Sequence, residues 1–314
     1  MRLAIGDIRA FGPALARAGR AFYDRPQTAA PMLRWWREQG VEGFVFYDHL
    51  PGFYEITPAQ WRALKAAIED SGLTVAACNV LRKSLHLPEL AEIDRRRLDI
   101  CLAACEIMRP AIVDISVNAP YPSQQDAETL AARQRQLFRG EYAPARAWEM
   151  AAAALKALAR QCASFGAQLS IELHDDGLQD TAANCLKLLR LVDEPNVGVN
   201  PDIGNAYRVP YETRETWREQ MTALAPHTNY WEVKNYRRLY FADERRWYSW
   251  NVELDDGDLN FRESAEILWR AGFRGWVCNE GGTGDGVWST LNYVRYLRWV
   301  LDEWIPFVTS AYPD

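Results

Sequence analysis

The sequence lacks the cysteine pattern that a disulfide framework requires. Its 6 cysteines, at positions 78, 101, 105, 162, 185 and 278, include no Cys-x-x-Cys pair. Most of them lie within apolar helix or strand patterns, where cysteine behaves as a small buried hydrophobic residue. We therefore expect reduced, buried thiols and no disulfides.

An excess of positive charge is also missing. The formal net charge is −6, whereas a nucleic-acid partner would call for a basic surface that neutralises phosphates. Short arginine clusters such as Arg95 to Arg97 are typical of a solvated helix face. No apolar run is long enough to span a bilayer, and the N-terminus lacks the apolar core of a signal peptide. We expect a cytoplasmic protein without nucleic-acid or membrane partners.

A phosphate-binding glycine loop is absent from the place where a doubly wound nucleotide-binding fold would need it. The stretch GDIRAFGP after the first predicted strand contains neither G-x-G-x-x-G nor G-x-x-x-x-G-K-[ST]. The segment GGTGDG, Gly281 to Gly286, could hold a phosphate through backbone amides, or could simply turn the chain into the last helix. Whether the substrate carries a phosphate therefore stays open.

What the sequence does contain is a regular alternation of short β-branched or aromatic runs with longer amphipathic segments, the pattern of repeated βα units. Gly40, Gly72, Gly166 and Gly272 each stand between a predicted helix and the next strand, which is typical of a left-handed helix stop. Eight units in 314 residues predict an α/β protein with a single (β/α)8 barrel over residues 1–314. The predicted strands are Arg2–Ile8, Val41–Asp48, Leu73–Val80, Ala111–Asn118, Ala167–His174, Val197–Asp202, Asn229–Asn235 and Gly275–Glu280.

Two connections are too long for simple loops: residues 119–144 after the fourth strand and residues 236–260 after the seventh. Both follow the C-terminal ends of strands, the face on which barrels build their sites. We interpret them as lids or partner surfaces. The last helix is apolar enough that a homo-oligomer or a small partner subunit is also conceivable, although an ordinary inner face explains most of its pattern.

Each of the last four predicted strands carries an acid near its end. Glu172, Asp202 and Glu232 are spaced 30 residues apart, and Glu280 ends the eighth strand. Inward-pointing residues at strand ends meet at the barrel mouth, where uncompensated carboxylates would have to hold protons. An all-oxygen ligand set predicts a divalent cation, Mn²⁺ first, with Mg²⁺ or Co²⁺ able to substitute. The alternative is that each acid pairs with a nearby arginine or lysine.

These acids lie in motifs that resemble those of the xylose isomerase-like barrel superfamily, the sugar phosphate isomerase/epimerase group. Members of that group resemble one another in a Glu after strand five, D-x-G-N/H after strand six, H-x-K-D/N on strand seven and a Glu after strand eight. The corresponding elements here are Glu172, DIGN from Asp202 to Asn205, EVKN from Glu232 to Asn235, and Glu280 in NEGG. DDGDLNF, Asp255 to Phe261, is similar to the group's lead into the seventh helix.

The resemblance implies a metal-dependent enzyme that moves a proton next to the carbonyl of a ketose or keto-sugar, through an enediolate. Glu172 and Glu280 would then be the acid/base pair, and Asp202 and Glu232 mainly metal ligands, all four acids contacting the cation. Lys234, in phase with Glu232, would either neutralise a developing oxyanion or form a salt bridge with a neighbouring acid.

One position departs from the resemblance. The strand-seven histidine ligand of the group aligns with Glu232, so either this glutamate binds the cation or that ligand is lost. His227 lies five residues earlier, roughly 16 Å away along an extended strand. It cannot replace the missing ligand.

Further residues near strand ends are candidates for substrate binding. His174, in phase with Glu172, is a candidate hydrogen-bond partner or second proton carrier. Trp250, in the aromatic segment after strand seven, could pack against a sugar ring, although aromatic residues are equally enriched at protein–protein interfaces. A strand-end histidine or asparagine is often structural. The remaining candidates are His49, Asn79, His86, Asn118 and Asn205.

Three alternatives to an isomerase or epimerase remain. The same enediolate can expel a β-substituent, which would make the protein a lyase or dehydratase of a keto-sugar, keto-inositol or keto-glycoside. A repair nuclease of the endonuclease IV type, which uses histidine-rich zinc sites, is disfavoured by the 4 histidines and the acidic charge. A sugar-binding or assembly subunit without catalysis would require the four acids to be paired off.

Overall fold

Eight parallel strands form one sheet in the computed structural model, which describes residues 1–6, 21–48, 52–85, 88–118, 139–281 and 284–313. The strand order is β6-β5-β4-β3-β2-β1-β10-β7, and a parallel bridge between Val199 and Thr228 brings the two ends together. The barrel is thus nearly closed, which confirms the predicted (β/α)8 fold. The strands are β1 Arg2–Gly6, β2 Gly43–Tyr47, β3 Thr74–Lys83, β4 Ile112–Val117, β5 Gln168–Glu172, β6 Val197–Asn200, β7 Tyr230–Val233, β8 Asn235–Phe241, β9 Arg246–Val252 and β10 Trp276–Asn279.

Helices follow the barrel strands in the described part of the chain. All four predicted glycine stops, Gly40, Gly72, Gly166 and Gly272, adopt positive φ angles between 77° and 93°. This confirms the left-handed helix ends expected from the sequence. The helices are α1 Ala21–Asp24, α2 Ala30–Glu38, α3 Pro58–Asp70, α4 Pro88–Met108, α5 Ala145–Ser164, α6 Ala182–Val192, α7 Ile203–Tyr207, α8 Trp217–Leu224, α9 Phe261–Arg270, α10 Gly286–Trp299 and α11 Ile305–Ala311, with a π turn at Val300–Trp304 between the last two.

The third helix shows how local sequence sets an element boundary. Thr57 accepts a hydrogen bond from the backbone of Gln60, whose side chain in turn accepts one from the backbone of Thr57. This capping box satisfies two of the unpaired N–H groups at the helix start. Pro58, which has no N–H to satisfy, occupies the first helical position.

The apolar interior is divided into two clusters by the barrel wall. The larger lies between the sheet and the helices. The smaller fills the inside of the barrel and includes Tyr47, Tyr230 and Trp276. A Cβ at Gly43 would stand 2.6 Å from the Trp276 ring, so the glycine makes room for this side chain. The inner cluster lies beneath the mouth of the barrel.

The segment after the seventh barrel strand contains an antiparallel hairpin of β8 and β9. One face packs on the body of the protein, where Arg238 donates to the backbone oxygens of Val209 and Tyr211. The other face carries Trp250, which pairs with Arg237 across the hairpin and is 47% exposed. Of the other long segment, residues 119–138 lie outside the described residues.

All six cysteines are buried free thiols, as expected. Among the helices of the described ranges, none is both long enough and apolar enough to cross a membrane.

Candidate metal centre

Four acids meet at the C-terminal mouth of the barrel. Glu172, Asp202, Glu232 and Glu280, here called the acid cluster, each place one carboxylate oxygen within 4.8 Å of the others. The first three are at most 3% exposed, whereas the side chain of Glu280 is 27% exposed. The structure therefore brings together the four acids that the strand ends predicted, and the cluster opens toward solvent on the Glu280 side.

The short helix α7 fixes the second member of the cluster. Asp202 is its N-cap, and Oδ1 accepts a hydrogen bond from the N–H of Gly204 at 3.1 Å. Oδ2 accepts one from Nδ2 of Asn205 at 2.9 Å, and the same amide donates to Glu172 at 2.7 Å. Asn205, predicted as a substrate-binding residue, thus joins two of the acids.

Lys234 passes between two glycines to reach the cluster. A Cβ at Gly204 would stand 2.6 Å from Cγ of Lys234, and one at Gly281 would stand 2.5 Å from its Cβ. The Nζ atom forms salt bridges with Asp202, at 2.7 Å, and with Glu280. The structure thus shows the salt bridge that was one of the two interpretations of Lys234, and the glycines of the DIGN and NEGG motifs make room for it.

Glu232 is held from inside the barrel. Its Oε1 accepts hydrogen bonds from the hydroxyl of Tyr47, at 3.0 Å, and from Nδ2 of Asn79, at 2.5 Å. Its Oε2 accepts one from Nδ2 of Asn200 at 3.2 Å. Asn79 was predicted as a substrate ligand, and in the structure it contacts a member of the acid cluster.

The pKa values of the cluster reflect burial and mutual repulsion. Burial, reinforced by the neighbouring carboxylates, raises the pKa of Glu172 and of Glu232 well above the usual range. Burial also raises the pKa of Asp202 to about 7, against the opposing effect of Lys234. For Glu280 the effect of burial is outweighed by the ammonium of Lys234, and the pKa falls to about 2.

A fifth acid lies close by. Asp114, on β4, accepts a hydrogen bond from Nδ2 of Asn200 at 3.2 Å. Burial raises its pKa to about 8 despite this hydrogen bond. The pattern of alternate inward residues could have revealed Asp114, which lies three residues into its strand, and Asn200, two residues before Asp202.

The donor set fits a hard divalent cation. In the described ranges, Lys234 is the basic side chain within ion-pair distance of the acid cluster. One positive charge therefore faces four carboxyl groups. Several buried, like-charged oxygens are costly unless positive charge compensates them. Carboxylate oxygens are the ligands that Mg²⁺ and Mn²⁺ prefer. The four acids could therefore hold such an ion between them.

His174 lies beside the cluster in a second ionic network. Its Nδ1 is 3.3 Å from Oδ1 of Asp175, and its Nε2 is 3.4 Å from Arg208. Burial lowers the pKa of His174 to about 3, despite the carboxylate of Asp175. Arg208, which also pairs with Asp175 at 2.7 Å, was not predicted; nothing in its sequence context distinguishes it from a surface arginine.

The remaining predicted residues are dispersed. Asn118 donates to the hydroxyl of Ser84 at 3.0 Å, and Trp250 lies on the exposed face of the hairpin. His49 and His86 lie outside the described residues. His227 lies in the turn Ala225–His227 that precedes β7, at the end of that strand opposite the acid cluster.

Comparison with known proteins gives one family and many similar folds. A family model described as xylose isomerase-like TIM barrel matches residues 33–299. No curated protein matches the sequence. A xylose isomerase-like TIM barrel protein from Mycobacterium smegmatis, in complex with magnesium, has a TM-score of 0.72 at 20% identity, with 97% of each chain covered.

Two enzymes have TM-scores and coverages in a similar range. A probable 3-DHS dehydratase from Bacillus anthracis has a TM-score of 0.67 at 13% identity, covering 95% of this chain and 98% of that one. A 3-keto-D-glucoside 4-epimerase from E. coli has a TM-score of 0.64 at 14% identity, covering 96% and 99%. At these identities the similarity establishes the shared fold.

Proposed function

This chain belongs to the xylose isomerase-like TIM barrel family, and from that premise we propose that it is a metal-dependent isomerase or epimerase of a keto-sugar. The observation that carries the proposal is the contrast between two members of the acid cluster. Lys234 favours the ionised form of Glu280, while burial favours the protonated form of Glu172. Two carboxyl groups whose surroundings push their pKa values apart are suited to opposite roles in proton transfer.

The reaction needs one group to take a proton and another to return it. When bound by the acid cluster, a divalent cation would supply Lewis-acid polarisation of a carbonyl, which acidifies the neighbouring C–H. Glu280 accepts the proton from that carbon, and an enediolate forms. Glu172, held by Asn205 at 2.7 Å, returns a proton on the opposite face of the carbon. Asp202 and Glu232 serve mainly as ligands.

Lys234 has a supporting role in this scheme. Its ammonium keeps Glu280 ionised, and its N–H groups can donate to a substrate oxygen on which negative charge develops. The burial of the lysine side chain, which is 4% exposed, strengthens that hydrogen bond because water does not compete for it.

Elimination is a second candidate reaction. The carboxyl of Glu172, which burial keeps protonated by raising its pKa, could protonate a leaving hydroxyl or glycosyl oxygen after the same first step, while the ammonium of Lys234 next to Glu280 stays charged and donates a hydrogen bond to that oxygen. The carbon skeleton would then lose its β-substituent, and the protein would be a lyase of a keto-sugar, keto-inositol or keto-glycoside. A binding subunit without catalysis is less consistent with the charge of the cluster, since one lysine does not pair off four acids.

A panel of keto-sugars incubated with the protein and Mn²⁺ in D₂O tests the proposal. Epimerisation or isomerisation by proton transfer introduces deuterium at the carbon next to the carbonyl, which NMR detects in recovered substrate and product. Elimination releases water or an alcohol, and so separates the two reactions. Turnover of a keto-sugar without any deuterium uptake at that carbon would contradict the proposal, as would a purified protein that binds no divalent cation.

A further inference from the structure

Glu232 receives three hydrogen bonds from three different strands. Tyr47 on β2, Asn79 on β3 and Asn200 at the end of β6 all donate to its carboxylate. All three donors are neutral, and each is at most 2% exposed. We infer that Tyr47, Asn79 and Asn200 are positioning residues that adapt this site to a carboxylate ligand at position 232, and so to hard, oxygen-preferring cations. The inference rests on the proposed metal-dependent function.

The surrounding structure fixes the orientation of the Asn200 amide and the position of the Tyr47 ring. Oδ1 of Asn200 accepts the backbone N–H of Glu232 at 2.8 Å, so its Nδ2 must face the carboxylates of Glu232 and Asp114. The Tyr47 ring is part of the apolar cluster inside the barrel, which holds its hydroxyl beneath Glu232. The donors are therefore supplied by a rigid part of the fold.

An imidazole would not satisfy this arrangement. A carboxylate offers about four lone-pair positions, whereas a neutral imidazole offers one acceptor nitrogen. Asn200 would keep its hydrogen bond to Asp114, but a histidine at position 232 could accept from only one of Tyr47 and Asn79, and a buried donor that loses its partner is costly. Three converging donors therefore require an acceptor-rich side chain, and a glutamate meets that requirement.

The arrangement also decides how Glu232 can bind a cation. Two donors occupy Oε1, and one occupies Oε2, so the remaining lone pair is on Oε2. This oxygen would take part in a ligand set made of oxygen atoms alone, because the other members of the acid cluster are also carboxylates. Such a set favours Mg²⁺ and Mn²⁺ over zinc, whose sites usually include nitrogen or sulfur ligands.

Titration calorimetry with Mn²⁺ and Zn²⁺ on the full chain tests the inference without reference to turnover. Tyr47→Phe removes one donor to Glu232. Tyr293→Phe is the matched control, because that buried hydroxyl donates to the backbone oxygens of Val277 and Ala4 rather than to the cluster. We expect Tyr47→Phe to weaken Mn²⁺ binding about 10-fold or more, as loss of a residue that orients a metal ligand typically does, and Tyr293→Phe to leave it unchanged.

A second pair of variants separates positioning from general loss of stability. Glu232→His should bind both ions poorly because it faces three donors. Adding Asn79→Asp replaces one donor with an acceptor for the imidazole N–H, and should restore binding with a preference shifted toward Zn²⁺. This rescue serves as the test if Tyr47→Phe does not fold, as judged by circular dichroism.

Two results would overturn the inference. One is equal Mn²⁺ affinity in folded Tyr47→Phe and in the wild type; the other is a Glu232→His single variant that binds Zn²⁺ as tightly as the wild type binds Mn²⁺. Either can occur in a protein that still exchanges deuterium into a keto-sugar, so the proposed function would survive. Conversely, a wild type that binds Mn²⁺ with the expected variant effects but transforms no keto-sugar would contradict the function alone.

Discussion

The ammonium of Lys234 lies 2.7 Å from Oδ2 of Asp202 and also pairs with Glu280, so one lysine contacts two of the four acids that could hold a cation. The lysine and a bound cation would compete for the same oxygens. Lys234 therefore has two effects on the site: it stabilises the acid cluster, and it opposes cation binding. Both effects can be measured with one substitution.

Lys234→Met keeps most of the side-chain volume and removes the charge. We expect it to lower the free energy of unfolding by about 3 kcal/mol in EDTA, because a buried ion pair loses one partner. Added Mn²⁺ should raise the melting temperature of this variant more than that of the wild type. Lys156→Met, which removes a more exposed partner of Glu194, is the control. An equal Mn²⁺-induced shift in Lys234→Met and wild type would show that the lysine does not compete.

Loss of each proposed proton carrier should affect deuterium exchange differently. Replacing either Glu172 or Glu280 with glutamine should slow turnover about 100- to 10,000-fold, the usual contribution of general acid–base catalysis. Glu280→Gln should also abolish deuterium exchange into the substrate. Glu172→Gln should retain exchange on the face served by Glu280 while forming little product.

Metal content has to be measured for both variants, because both glutamates belong to the acid cluster. Glu263→Gln removes a half-buried partner of Arg218 outside the acid cluster and should change neither turnover nor deuterium exchange. If both active-site variants keep the cation yet lose exchange and turnover to the same extent, the separate roles assigned to the two glutamates are wrong.

The barrel and its four acids could be predicted because they follow from short-range patterns. Period-two alternation tells which residues point inward, and the 30-residue spacing of Glu172, Asp202 and Glu232 places them at equivalent strand ends. The hydrogen bond between Tyr47 and Glu232 joins residues 185 positions apart. Which side chain reaches across the barrel depends on strand stagger, and no local pattern encodes that.

Lys234 also shows that contacts between distant parts of the chain are not encoded in local sequence patterns. Its phase on the strand was readable from the sequence, but its choice of partners was not. That choice depends on Gly204 and Gly281, which lack the Cβ atoms that would block the lysine. The length and position of residues 236–260 predict a lid or partner surface but not a hairpin, whose strands β8 and β9 pair with each other rather than with the barrel.

Stability in EDTA should fall as the pH rises from about 4 to about 8. Burial raises the pKa of Asp202 to about 7 and of Asp114 to about 8, from 3.8 for each. Between these limits the folded protein holds protons that the unfolded chain has released. The contribution of each group is therefore fully present below the unfolded pKa and is lost as the pH passes the folded pKa.

Asp114→Asn tests this dependence because the amide resembles the protonated acid. The free energy of unfolding is measured by urea denaturation in EDTA at pH 5, 6, 7 and 8. Between pH 5 and pH 8 it should decrease less for Asp114→Asn than for the wild type. Asp256→Asn, at an exposed partner of Arg237, provides the control. Parallel wild-type and Asp114→Asn curves would mean that Asp114 is already ionised at pH 5.

His174 should remain uncharged across the physiological range. Burial lowers its pKa to about 3, although Asp175 and its carboxylate lie within 3.3 Å. Long-range ¹H–¹⁵N spectra should therefore show the shifts of a neutral imidazole from pH 5 to pH 8; His174→Gln assigns the signals, and the exposed His227 gives a comparison in the same spectra. A neutral imidazole can donate a hydrogen bond to a substrate hydroxyl or accept one from it, but it brings no positive charge to the enediolate. A transition near pH 6.5, the usual value for histidine, would contradict the lowered pKa and leave His174 able to carry a proton.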